Sequence, residues 1–138
     1  MKKYLFIVSL LCLLAACTGK RQGEAAVEVA ALPAVEDVVM YQVNPRVFAP
    51  EKSFKAVERR LDSIQALGIN VVWFMPINEV GQEKSVNSPY CVKDYKGVNP
   101  EFGTLDEFKA LVATCHQKGM NVIIDWVANH TSWDNAWI

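Results

Sequence analysis

The segment Ile69-Asn70-Val71-Val72-Trp73-Phe74-Met75 carries one polar side chain among seven residues and stops at Pro76. A run this apolar fits a strand covered on both faces, and such strands belong to parallel sheets flanked by helices. The surrounding pattern agrees. Residues 38–43 form a shorter β-rich run closed by Pro45, read as a first strand. Between the two, Phe54, Val57, Leu61, Ile64 and Leu67 recur at helical spacing, the stripe of an amphipathic helix. Ser53 stands where a cap is wanted, and Gly68 where a left-handed residue follows the last turn. A second helix opens at Thr104-Leu105-Asp106-Glu107, the pattern of a capping box, and runs through Phe108, Leu111, Val112 and Cys115 to Gly119. His116 and Lys118 lie in its last turn, where donors and cations suit the helix dipole, so His116 is read as structural. Residues 120–124 make the third strand.

Strand, helix, strand, helix, strand implies parallel strands joined by right-handed crossovers. Two architectures satisfy that order. A doubly wound sheet places a glycine-rich phosphate loop after its first strand, whereas Asn44-Pro45-Arg46-Val47-Phe48-Ala49-Pro50 contains no glycine. A TIM barrel places long loops and polar residues at the C-terminal ends of its strands. Here a long polar stretch, 77–103, follows the second strand, and Asp125-Trp126-Val127-Ala128-Asn129-His130 follows the third. The expected fold class is therefore α/β, a (β/α)8 TIM barrel. A whole barrel takes about 250 residues, so about the first three of its βα units are expected in this chain.

The first sixteen residues are set apart from the fold. Lys2 and Lys3 precede an apolar run that is too short for a membrane span of about 20 residues and suits a signal peptide. Leu14-Ala15-Ala16-Cys17 resembles the bacterial lipobox, which is cut before a cysteine that then carries lipid. The expectation is an exported lipoprotein anchored to the bacterial membrane through Cys17, facing the periplasm or the exterior. It has a signal at 1–16, a lipidated cysteine and linker at 17–36, and a folded part at 37–138. Without the signal, 12 basic residues face 15 acidic ones and the net charge moves from −1 to −3. No basic cluster remains to neutralise phosphates, which argues against nucleic acid as a partner. Cys91 and Cys115 are read as buried free thiols.

With these residues placed, the chain resembles the α-amylase family, glycoside hydrolase family 13, over 38–138. Asp125-Trp-Val-Ala-Asn129-His130 is similar to that family's Asp-x-x-x-Asn-His signature at the end of its third strand. Gly68-Ile-Asn-Val-Val-Trp-Phe-Met-Pro76 is similar to its second-strand region. Tyr90-Cys-Val-Lys-Asp94-Tyr95 with Gly97-Val-Asn-Pro-Glu-Phe-Gly-Thr104 resembles the segment that follows. The resemblance implies that Tyr90 stacks on the sugar ring at the point of cleavage and that His130 donates to sugar hydroxyls there. It also implies that Asp125 supports the site through hydrogen bonds and that Asn129 offers an oxygen to a structural calcium. Asp94 is read as ordering its loop, and Asp134 is given no role.

Retaining glycosidases need a nucleophilic carboxylate and an acid/base carboxylate about 5 Å apart. In the resembling family these come from later strands, so no catalytic residue is expected in this chain and the piece alone is expected to be inactive. The function implied is part of a retaining hydrolase of starch, glycogen or malto-oligosaccharides. Three alternatives stand beside it: a transglycosylase or α-1,6-specific enzyme of the same family, a tethered glucan-binding or structural protein on an amylase-like barrel, and a truncated reading frame.

Overall fold

The computed structural model describes residues 31–138; the expected signal, Cys17 and most of the linker lie outside the described residues. Strand β1 (Met40–Val43) is followed by a one-turn helix α1 (Pro45–Phe48), helices α2 (Ser53–Glu58) and α3 (Leu61–Gln65), and strand β2 (Val71–Phe74). Two short strands, β3 (Glu79–Val80) and β4 (Val92–Asp94), precede helix α4 (Leu105–Gln117) and strand β5 (Asn121–Ile124). The main sheet has the order β1-β2-β5 and is parallel throughout, with Met40, Val71 and Asn121 in line at one end and Val43, Phe74 and Ile124 at the other.

The core lies between this sheet and the helices. Alternation along the strands sends Tyr41, Val43, Val72, Phe74 and Val122 to the helical side, where they join a cluster with Phe54, Val57, Leu61, Ile64, Phe108, Leu111 and Cys115. Phe108 is its centre, with ring centroids 5.0 Å from Phe54 and 5.5 Å from Phe74, the latter edge to face. Truncating a buried Phe of this kind costs about 3–5 kcal/mol. The opposite face presents Met40, Gln42, Val71, Trp73, Asn121 and Ile123.

The capping box at α4 forms as the sequence predicts: Glu107 N donates to Thr104 Oγ1 at 3.1 Å and Thr104 N to Glu107 Oε2 at 2.9 Å. The first helix differs. Ser53 is its first residue rather than its cap, and Lys52 stands before it in the left-handed region at φ 48°. The start is instead tied to the approach to α4, with Lys52 N donating to Glu101 O and Phe54 N to Phe102 O, both at 3.0 Å. The stripe is also interrupted at Arg59–Arg60, where Arg60 N turns back three residues to Val57 O at 2.8 Å, a local 3₁₀ tightening. Leu67 falls after that helix and is exposed, while Gly68 takes the left-handed turn at φ 82°.

Three further differences bear on the site. Pro45 opens α1, with Asn44 Oδ1 capping Arg46 N at 3.1 Å. The 77–103 stretch folds part of its length into the antiparallel β3–β4 pair. Cys115 is fully buried, but Cys91 is only half-buried, its thiol 3.5 Å from Ser85 O; both are free. At the N-terminal ends of the strands, Asn121 Nδ2 donates to Ala31 O at 3.2 Å and Asn70 Nδ2 to Asp37 O at 2.7 Å. The end of the expected linker and the first residue of the expected folded part thus form a floor beneath the sheet.

Candidate active-site wall

Asp125 follows β5 directly, and its amide donates to Phe74 O at 2.9 Å, extending the ladder by one residue. Two residues beyond Ile123, its side chain falls on the face away from the helices, the face that Trp73 shares. Both carboxylate oxygens are engaged. Trp73 Nε1 donates to Oδ1 at 2.6 Å and the Tyr90 hydroxyl to Oδ2 at 3.0 Å. The Asp125 carboxylate holds the Tyr90 hydroxyl above its ordinary pKa of 10.0, because a phenolate would lose that bond and face a like charge.

Tyr90 reaches Asp125 from a loop of tight turns. Lys84, Val86 and Asn87 all take positive φ (52°, 48° and 57°), which is costly for a β-branched residue such as Val86. Arg46, in α1, braces this stretch: Nη1 donates to Asn87 O at 2.7 Å and Nη2 to Asn87 Oδ1 at 3.4 Å. Ser88 Oγ accepts from the Tyr90 amide at 3.3 Å.

Beyond Asp125 the chain is secured by Tyr95, whose hydroxyl lies 2.8 Å from Val127 O and 2.6 Å from His130 O. Its ring stacks on Trp137 at 5.3 Å and 11°. Asn129 Nδ2 and His130 Nδ1 are 3.2 Å apart. Both side chains are exposed and line an open cavity of about 380 Å³ with Trp126, Thr131 and Trp137. Tyr90 and Asp125 are therefore joined directly, as are Asn129 and His130, but no hydrogen bond links the two pairs among the described residues.

Asp94 Oδ1 accepts from Lys96 N at 2.8 Å, and the loop turns there. Asp134 anchors the segment after the motif: Oδ2 accepts from Gln82 N at 3.0 Å, a bond that lowers the Asp134 pKa. A Cβ on Gly81 would stand 2.3 Å from Ser132 Cβ, so only glycine lets that segment lie against the β3 strand. Val92 O receives Ser132 N at 2.9 Å and Thr131 Oγ1 at 2.7 Å.

Calcium needs six to eight oxygens. Among the described residues no group of three His, Cys, Asp or Glu side chains is placed to hold a metal ion, and Asn129 alone does not complete such a shell. Trp73, Tyr95 and the Arg46–Asn87 brace were not anticipated from sequence. The alternation of Trp73 with Val72 and Phe74 was a usable signal for a Trp on the inner face, but its partner became identifiable only with the register of β2 on β5.

The family model described as alpha amylase, catalytic domain, matches residues 52–138. The chain belongs to the alpha-amylase family. It is 33% identical over 107 residues to an oligo-1,6-glucosidase of Halalkalibacterium halodurans, covering 74% of this chain and 18% of that protein. It is 38% identical over 103 residues to the human amino acid transporter heavy chain SLC3A1, covering 71% of this chain and 15% of that protein. Among solved structures it superposes on an alpha-amylase from Lactobacillus plantarum with a TM-score of 0.67 and 41% identity, covering 72% of this chain and 24% of that one. The three-stranded sheet and its helices are thus part of an alpha-amylase-type barrel, and the chain spans less than a fifth of the curated relatives' length.

Proposed function

We propose that this chain forms the sugar-holding wall of a retaining α-glucan hydrolase that acts on starch, glycogen or malto-oligosaccharides. The observation that carries the reading is the Tyr90–Asp125 pair, bonded at 3.0 Å at the C-terminal ends of parallel strands. That is where barrels assemble their sites. With its hydroxyl anchored, Tyr90 offers a fixed aromatic face to the apolar C–H patch of a pyranose, a contact worth on the order of 1 kcal/mol. His130 offers an imidazole N–H toward sugar hydroxyls in the same subsite.

Asp125 serves as an orienting acceptor, since a carboxylate tied by a donor on each oxygen is poorly placed to attack an anomeric carbon. The nucleophile and the acid/base belong to further strands of the barrel. Asn129 contributes one oxygen to a structural calcium whose remaining ligands lie elsewhere in the assembled barrel, and the protein is held at the membrane through a lipid on Cys17. The test is hydrolysis of malto-oligosaccharides by the protein carrying all its βα units, with product anomers followed by NMR. Release of the α-anomer is expected; an inert protein, or one releasing the β-anomer, overturns the reading.

A second reading, a non-catalytic tethered protein on the same barrel, is favoured by the likeness to the human transporter heavy chain, which is as strong as that to the glucosidase. Glucan binding without hydrolysis in the same assay supports it.

A further inference from the structure

We propose that Trp73 is a positioning residue of this site, acting on the sugar-stacking ring of Tyr90 through Asp125. The inference rests on the proposed function for its consequence on substrate, but its geometry stands on three contacts. The indole N–H reaches Asp125 Oδ1 at 2.6 Å, and the phenol reaches Oδ2 of the same carboxylate at 3.0 Å. The Asp125 backbone is bonded to Phe74, the residue next to Trp73, at 2.9 Å.

A carboxylate on a side chain with two rotatable bonds is fixed in plane only when both oxygens are held. Here the backbone fixes where the side chain starts, and the indole fixes how it is turned. The phenol is then left one oxygen in one direction. Trp73 is well suited to this task because it lies within β2, paired with Gln42 on one side and Ile123 on the other, and cannot swing as a loop residue can. A neutral indole N–H also orients the carboxylate without cancelling its charge, which an Arg or Lys would do. The charge therefore remains available to hold the phenol proton.

The test uses the full-length protein with Trp73→Phe and with Trp73→benzothienylalanine, which keeps the bicyclic shape and puts sulfur in place of the N–H. The second variant separates the hydrogen bond from packing. In protein labelled at tyrosine Cζ, the Tyr90 signal, assigned with Tyr90→Phe, is expected to move in both Trp73 variants. An unmoved Tyr90 signal overturns the proposal whatever the activity. On malto-oligosaccharides, the benzothienylalanine variant is expected to lose about tenfold in kcat/KM, as for removal of a hydrogen bond to a charged group. Combined with Tyr90→Phe, the loss is expected to be no larger than the greater single loss, to within about twofold, because both act on one carboxylate. Losses that multiply overturn the proposal. A Tyr90 signal that moves in the Trp73 variants, with the wild-type protein inert on every α-glucan, refutes the proposed function and leaves the positioning role intact.

Discussion

A hydroxyl bonded to a carboxylate resists ionisation, and Tyr90 is the residue here whose titration reports its partner. Its folded pKa lies above the ordinary 10.0, so its contribution to stability is fully present below pH 10 and is lost as the pH rises through the folded value. Tyr90→Phe is therefore expected to flatten the fall in stability above pH 10, measured by chemical denaturation of the full-length protein across that range; an unchanged slope counts against the Asp125 bond. Cys115 behaves in the opposite spirit, as a group kept out of chemistry. Burial pushes its thiol up to about 12, with the Glu58 charge adding to the effect. In the folded full-length protein Cys115 is expected to resist iodoacetamide at pH 8 and to react fully in denaturant, as mass spectrometry of the peptide would show. Asp125, Asn129 and His130 stood out in the sequence because they fall within one six-residue segment, and Tyr90 because its own segment resembles one of the family's. Trp73 did not, since its meaning depends on a partner 52 residues away.

At the scale of elements, locality again decides what can be foreseen. The capping box of α4 lies within four residues and formed as written. The start of α2 takes its acceptors from Glu101 and Phe102, so Ser53 never acts as the cap that local preference suggests. The β3–β4 pair was missed for a related reason: two- and three-residue strands carry too little alternation to register as a pattern. Gly103 joins these two helix starts. It takes φ 135°, and a Cβ there would stand 2.5 Å from Glu107 Oε2 and 3.0 Å from the Phe54 ring. Gly103→Ala is thus expected to strain the backbone and disturb the capping box together, costing about 2–3 kcal/mol in urea unfolding. Gly68→Ala, at φ 82° with nothing within 4 Å of the added carbon, is expected to cost only about 1–2 kcal/mol. Equal losses at the two positions would show that the crowding around Gly103 relaxes freely.

At the scale of the molecule, the sheet has one well-covered face and two outer strands, β1 and β5, each paired on one side only among the described residues. Met40, Ile123 and Ile124 stay between 43% and 48% exposed, apolar surface that a continuing barrel would cover. A polypeptide of residues 31–138 alone is accordingly expected to bind a hydrophobic dye and to melt without a sharp transition. A monomer with a cooperative thermal unfolding curve would contradict this. The parallel order was legible from the alternation of strand and helix, whereas the depth of burial on each strand depends on neighbours no local pattern names. The floor built by Ala31 and Asp37 gives the molecule a front and a back. Ala31 and Asp37 meet the N-terminal ends of the strands, and Asp125 stands at the other end, about 13 Å away at the usual rise of a strand. The contacts that seat residues 31–37 and the residues that build the site thus occupy opposite ends of the same strands, so a change at Asn121 or Asn70 loosens the end of the sheet away from Asp125.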